Sequence, residues 1–424
     1  MARILALTAR LPYPPREGHQ LRSWHVLRAL ARVHEVSLLS FVRTDDAPHE
    51  CGPLRDLTAR LELFPLRAQH ARSALASALL RGSLGRRPFV VEKYACAAMR
   101  ERIAQLARDN DLIHVDMLPL IGNVDARCEL PLVLNAHNVE HALLRQRAAT
   151  EPHAARRAFL RMQVGRLEAF ETAACRRATH VLACSSDDAQ QLRAMAPSTP
   201  VSIVPNGVDV RHLRPAEAPA AAAQTLVFVG QMGWFPNREG VEWFLREILP
   251  LIAAARPEVQ FVLVGKADGL QVPAPLRANV RLTGFVDELA PLLHAAAVYV
   301  VPLRSGSGTR LKVLEAMAFG KAIVSTRIGA QGIELEPEHE CVFADSAQDF
   351  AAAVLRLLDA PALRLELGRA ARAKALRYDW DAIGADLVRL YAELCSIDEV
   401  SGVKAHRASD TTLRRAVRAA PLPS

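Results

Sequence analysis

The chain has 424 residues, half of them apolar and 23% charged, with a formal net charge of +8. That length provides for two or three domains with real cores, and the balance excludes a wholly disordered chain, a collagen-like repeat and a polytopic membrane protein. Seven cysteines stand singly with no C-x-x-C pair, which speaks against a disulfide framework or zinc ribbon and for a reducing cytoplasm.

At the N-terminus, Arg10 and the prolines at 12, 14 and 15 leave no room for the apolar run of a signal peptide. No later segment approaches the roughly 18 apolar residues of a membrane span. Apolar, β-branched runs predict strands at Arg3–Thr8, Glu35–Phe41, Leu112–Val115, Leu132–Asn135, His180–Cys184 and Val201–Val204. A Pro/Ala stretch from Pro215 to Gln224 then reads as a linker. The pattern restarts at Thr225–Gly230, Val259–Gly265, Val280–Thr283, Val298–Pro302 and Ala322–Thr326, separated by helical runs such as Val241–Ala255 and Leu311–Phe319.

Strands alternating with longer amphipathic runs predict an α/β chain of two Rossmann-like doubly wound lobes facing across a cleft. The expected division is a lobe over 1–205, a linker over 206–224, a second lobe over 225–378, a terminal helix over 379–395 and a flexible tail over 396–424.

The positive charge is unevenly placed: residues 1–210 carry 28 Lys and Arg against 21 Asp and Glu, while 211–395 carry 20 against 21. Aromatics are sparse and do not interleave with the arginines, so no nucleic-acid partner is expected. Between Arg72 and Arg108, the run Arg81, Arg86, Arg87, Lys93, Arg100 and Arg102 suits an anionic membrane surface, or else forms a solvated helical face.

The stretch most informative about chemistry is Val301–Gly320. A strand ends, Gly306, Ser307 and Gly308 form a loop, and a helix opens near Thr309. Backbone amides of such a loop and the helix N-terminus can receive an anion. Arg310 and Lys312 oppose the helix dipole where they stand, and a bound phosphate would relieve that cost. The P-loop spacing is absent. Two Asp-x-Asp triplets, Asp109–Asp111 and Asp379–Asp381, read as turn and cap residues, and no metal is expected.

Together, Val204-Pro-Asn-Gly-Val-Asp209, Phe228-Val-Gly230, Val262-Leu-Val-Gly265, Thr283-Gly-Phe-Val286 and Gly308–Gly320 resemble the C-terminal half of family 4 glycosyltransferases of the GT-B fold. Pro12-Tyr-Pro-Pro-Arg-Glu-Gly18 and Ala136-His-Asn-Val-Glu140 extend the similarity into the first lobe. It covers about residues 1–395 and is nearest to the sugar transferases of bacterial exopolysaccharide clusters.

The resemblance implies a retaining hexosyltransferase that needs no metal or other cofactor, with the terminal helix packed back on the first lobe. The nucleotide-sugar would lie against Gly18, Gly230, Lys266, Gly306, Ser307, Gly308, Thr309 and Glu315. Glu315 would accept hydrogen bonds from ribose hydroxyls, as an acceptor-only carboxylate can. Arg310 and Lys312 would neutralise the diphosphate, His137 would face the donor sugar, and Asn138 and Glu140 would serve the acceptor or cap the next helix. A lipid-linked saccharide at the cytoplasmic membrane face is the implied acceptor.

Two family features are missing. Ser307 stands where a first carboxylate is common, and Gln231-Met232-Gly233 where many members carry Arg. A non-catalytic scaffold of this shape and a nucleotide-sugar epimerase are therefore the alternatives.

Overall fold

The computed structural model describes residues 1–44, 46, 48–216, 224–306 and 308–400. The first sheet contains β1 (Arg3–Thr8), β2 (Glu35–Val42), β3 (Arg60–Pro65), β4 (Leu112–Asp116), β5 (Leu132–Asn135), β6 (His180–Ala183) and β7 (Val201–Ile203), in the order β3-β2-β1-β4-β5-β6-β7. The second contains β8 (Thr225–Val229), β9 (Gln260–Val264), β10 (Val280–Gly284), β11 (Val298–Val301), β12 (Ala322–Ser325) and β13 (Val342–Phe343), in the order β10-β9-β8-β11-β12-β13. Every pairing in both sheets is parallel. Parallel strands need crossovers that cover both faces, and accordingly β11 and β12 are buried from end to end.

The helices around the lobe junction are α1 (Gly18–Ala31), α2 (Arg72–Leu84), α3 (Glu140–Thr150), α4 (Ala154–Arg177), α5 (Ser186–Met195), α6 (Phe235–Trp243), α7 (Leu311–Ala318) and α8 (Trp380–Val400). Two apolar clusters sandwich the first sheet, and a third forms the core of the second lobe. α8 packs back on the first lobe. Its Trp380, Ile383, Leu387, Tyr391 and Leu394 share one cluster with Ile4, Ala6, Val26 and Leu30.

The chain crosses between the lobes twice, and the crossings lie together. The Val208 amide donates to Tyr378 O at 2.8 Å, and Val208 bridges to Asp379. Gly207 fits beneath α8 because a Cβ there would stand 2.6 Å from the Trp380 ring.

Several elements differ from the sequence expectation. Edge strand β3 is half-exposed and carries Arg60 and Glu62, so its apolar alternation is weak, and β13 has only two residues. The run Val241–Ala255 is split between the end of α6, a wider turn at Phe244–Ile248 and a short helix at Leu249–Ala255 whose second residue is proline. α8 continues to Val400, past the expected end at 395. Most of the expected tail, 401–424, and linker residues 217–223 lie outside the described residues.

Three histidines are held neutral in the fold. Burial, ahead of neighbouring charges, lowers His19 to about 3 and His25 and His114 to about 4. The unfolded chain protonates them near pH 6.5, so between pH 6.5 and about 4 it binds more protons than the native state. Their contribution to stability is then fully present above pH 6.5 and falls as pH drops, by up to about 1.4 kcal/mol per histidine per pH unit. Titration of the native protein by NMR should show the three imidazoles still neutral at about pH 5; protonation of all three near pH 6.5 contradicts the assignment.

Candidate active site

Parallel registers bring the C-terminal ends of three strands side by side, with Thr8 opposite Asp116 and Asp116 opposite Asn135. Ligand groups gather at such an edge. The buried Asp116 carboxylate accepts from Asn135 Nδ2 at 2.6 Å and from Ser23 Oγ, and its Oδ1 lies 2.8 Å from His137 Nε2. Burial opposes its charge, but the His137 imidazole and these hydrogen bonds hold the carboxyl well below the usual carboxylate range. Asn135 is fixed in turn by Arg22 of α1, whose Nη2 donates to its Oδ1 at 2.7 Å. Behind them, His114 Nδ1 lies 2.5 Å from the Tyr391 hydroxyl of α8. At the same edge the buried Thr8 Oγ1 and His19 Nε2 have no hydrogen-bond partner among the described residues.

The second lobe contributes a cationic group. Arg310 is the N-cap residue of α7, and Lys312 and Glu315 follow within the helix. Lys312 Nζ donates to Asn237 Oδ1 at 2.6 Å and sits 4.0 Å over the Phe228 ring. Gly230 leaves room for it, since a Cβ there would be 2.8 Å from Nζ. Burial, then the Arg310 charge, push the Lys312 amine down to about 7. Burial pushes the Glu315 carboxyl up to about 7, with Lys312 opposing. Burial lowers Arg310 to about 10, and the Asp188 carboxylate across the junction opposes that shift.

The glycine loop docks on the first lobe. Gly306 N–H donates to Gln146 Oε1 at 2.6 Å, Thr309 Oγ1 to Cys184 O at 2.7 Å, and Gly308 N–H to Asp188. Gly308 has φ +74°, and a Cβ on it would stand 2.9 Å from His137 O and 3.1 Å from Asn138 Oδ1. Only glycine permits that approach. Gly18 likewise meets the other lobe, 2.7 Å from Leu311 Cδ1 for a built Cβ.

The structure therefore brings Gly18, Gly230, Gly306, Gly308, Thr309, Arg310, Lys312 and Glu315 to one junction with His137 and Asn138. Lys266 stands apart, exposed just beyond β9, with its carbonyl accepting from Met232 N–H at 2.8 Å. Ser307 lies outside the described residues. The amides of Gly306 and Gly308 face Gln146 and Asp188, so a phosphate would have to replace those partners.

Glu140 does not cap α3. Glu171 of α4 does so, accepting from the Glu140 and His141 amides at 2.9 and 3.1 Å. Burial, then Glu171, raise the Glu140 carboxyl to about 7. Asp379 accepts from the Asp381 amide, a local contact at the start of α8, whereas Asp111 accepts from the Arg3 amide and so ties the approach to β4 to the start of β1 rather than closing a turn.

Asp116, Asn135, Arg22, Gln146, Asp188 and Asn237 were not legible as site residues. The available signal was Asp116, a carboxylate at the C-terminal end of a buried strand. Met117 behind it adopts φ 90°, unusual for a residue with a side chain.

Two facing parallel sheets, with a cationic glycine loop on one and an Asp–His pair on the other, define a GT-B protein. The family model described as Glycosyltransferase Family 4 matches residues 17–212, and that described as Glycosyl transferases group 1 matches 223–360. Between them they take in both lobes, and the chain belongs to this family of glycosyltransferases.

Among curated relatives, the phosphatidyl-myo-inositol mannosyltransferase of Mycolicibacterium smegmatis is 29% identical over 49% of this chain and 55% of its own length. The D-inositol 3-phosphate glycosyltransferase of Segniliparus rotundus is 28% identical over 45% of this chain and 46% of its own length. The chain thus spans about half the length of the curated relatives it matches. Sucrose-phosphate synthase from Thermosynechococcus elongatus aligns over 93% of this chain and 100% of its own, with TM-score 0.67 and 21% identity. Anabaena HepE in complex with UDP-glucose aligns over 93% of this chain and 100% of its own, with TM-score 0.64 and 15% identity. These likenesses show the fold.

Arg22 is almost wholly buried, and its Nη1 also donates to Val204 O at 2.9 Å and Asn206 Oδ1 at 3.0 Å. Arg22→Met leaves several buried acceptors without donors. Urea unfolding of the variant should show a loss of about 3 kcal/mol; a loss below about 1 kcal/mol would show that Asn135 and Asn206 are held by other means.

Proposed function

We propose that this chain is a retaining glycosyltransferase that moves a hexosyl group from a nucleotide-sugar to a lipid-linked saccharide in exopolysaccharide or other cell-surface glycan synthesis. The observation that carries the reading is the junction itself. Arg310, Lys312 and Glu315 on α7 sit opposite the Asp116-held His137, so one donor can touch both lobes. The names of the curated relatives, which include a lipid mannosyltransferase, support the acceptor class.

In this reading the donor diphosphate lies against the glycine loop and takes over the amides now held by Gln146 and Asp188. Glu315 receives the ribose hydroxyls. The sugar–phosphate bond breaks through an oxocarbenium-like state, and the growing charge on the diphosphate is stabilised by Arg310, Lys312 and the loop amides. Lys312 regains its full charge beside that anion, which offsets the desolvation that lowers it in the free protein. His137, oriented by Asp116, faces the sugar. The acceptor hydroxyl gives its proton to the departing phosphate, so neither a protein nucleophile nor a metal is called upon. The reaction takes place in the cytoplasm, where nucleotide-sugars are made.

A thermal-shift screen against UDP-, GDP- and ADP-sugars without metal tests this directly. Binding to the native state alone raises the midpoint by mass action. One donor should raise it in the wild type and fail to do so in Glu315→Ala. A folded protein that responds to none of them overturns the proposal, and a donor that binds without turnover with any saccharide acceptor leaves a scaffold.

A further inference from the structure

The terminal helix reaches the candidate site from behind. Trp380, Ile383, Leu387 and Leu394 of α8 lie among apolar side chains of the first lobe, and their burial is reason enough for the helix to dock there. Tyr391 brings something that packing does not require. It is fully buried, and its hydroxyl stands 2.5 Å from Nδ1 of His114, a β4 residue that is itself almost wholly buried. A phenylalanine would supply the same ring, whereas a buried hydroxyl has to be given a partner.

Hydrogen-bond counting fixes where the protons lie. Burial, then the Asp116 carboxylate, raise the Tyr391 phenol well above its ordinary value, so it keeps its proton. Burial lowers His114 to about 4, so near neutral pH its ring carries hydrogen on one nitrogen alone. Among the described residues, Nδ1 of His114 is the hydrogen-bond partner of the Tyr391 hydroxyl. If that nitrogen held the hydrogen, the phenol proton would be left without an acceptor, and the lone pair of Nε2 would face the Asp116 carboxylate 4.0 Å away. With the hydrogen on Nε2, Tyr391 donates to Nδ1 and an N–H dipole is turned towards Asp116 Oδ1.

That oxygen is the one His137 uses. Asp116 Oδ1 accepts from Asn135 Nδ2 at 2.6 Å and lies 2.8 Å from His137 Nε2, while Ser23 occupies Oδ2. Burial opposes the charge of this carboxylate, and the groups around it, His114 included, hold it ionised. A change of form at His114 would replace a favourable dipole by a repelling lone pair without moving a heavy atom.

We propose that Tyr391 is a positioning residue for sugar transfer: by holding His114 in its Nε2–H form it supports the Asp116 carboxylate from behind, and through it sets His137. Tyr391 itself touches no substrate. The inference rests on the reading of His137 as the group that faces the donor sugar. It gives α8 a part in the site beyond closing the apolar face of the first lobe, since one hydroxyl of this helix selects the proton position two side chains away from His137.

The test is two-bond 1H–15N correlation NMR of the full chain labelled with 15N-histidine, near neutral pH, with resonances assigned through single histidine substitutions. The two neutral imidazole forms give distinct nitrogen shifts. Wild-type His114 should be in the Nε2–H form, and the His137 Nε2 proton should resonate downfield as one donated to a carboxylate. Tyr391→Phe should populate the other form of His114 and move the His137 resonance. Leu387→Ala, which opens a cavity in the same cluster and should lower the melting midpoint further than Tyr391→Phe, should move neither. With whichever UDP-, GDP- or ADP-sugar the wild type turns over, Tyr391→Phe should lower kcat about tenfold and leave KM within about twofold. An Nδ1–H form in the wild type overturns the proposal, as does a His137 resonance that Tyr391→Phe leaves in place or that Leu387→Ala moves as far. Unchanged kcat beside altered resonances overturns it too. The spectra need no donor, so they decide the role of Tyr391 separately from the Glu315-dependent thermal shift.

Discussion

A buried guanidinium cannot be left short of acceptors, and Arg22 spends its donors on two separate parts of the molecule. Asn135 Oδ1 takes two of them, which aims the Asn135 amide at Asp116 and so sets the carboxylate that orients His137. Val204 O and Asn206 Oδ1 take the rest at the point where the chain leaves the first lobe. Asn206 then reaches Thr309 O in the second lobe at 3.4 Å. One desolvated cation thereby couples the Asp–His pair, the crossing between lobes and the glycine loop. Removal of charge at that position costs more than one contact, because the acceptors are as deeply buried as the donor.

The second lobe shows the complementary logic. Lys312 and Glu315 are pulled by burial in opposite directions towards the same range, so neither is strongly committed to its charge. Asp188 supplies a carboxylate opposite Arg310 and accepts the Gly308 amide. On the proposed reading, an anion of this chain thus occupies the position that the phosphates of a donor would take, and the polar junction would exchange one for the other. Dry apolar contact between the lobes would not permit that exchange.

The architecture was legible because parallel strands buried on both faces leave continuous apolar runs, and eleven such runs were recognisable in the sequence. The exceptions have physical causes: β3 is a charged edge strand, β13 is too short to show a period, and Pro250 interrupts a run that otherwise reads as one helix. The glycine loop and the following Arg310, Lys312 and Glu315 were legible because glycines running into a helix with cations at its start form a local sequence pattern. Asp116, Asn135 and Arg22 were not, because they meet only through registers and contacts more than a hundred residues apart in the Arg22–Asn135 case. The exposed leucines of α2 look like core residues in sequence, and only the fold shows that Ala78 and Gly82 took the inward positions.

The return of α8 to the first lobe bears on how this chain is made. Ile4, Val26 and Leu30 wait for Trp380, Ile383 and Tyr391, which follow them only after the whole second lobe has been made. The second lobe has its whole core, from Val208 to Ala375, before α8 emerges. The first lobe, although made before the second, completes its packing after it, and a nascent chain carries an uncovered apolar face until α8 emerges. Tyr391 seals that face by reaching His114 behind the Asp116 carboxylate, so the site becomes whole only once α8 has been made.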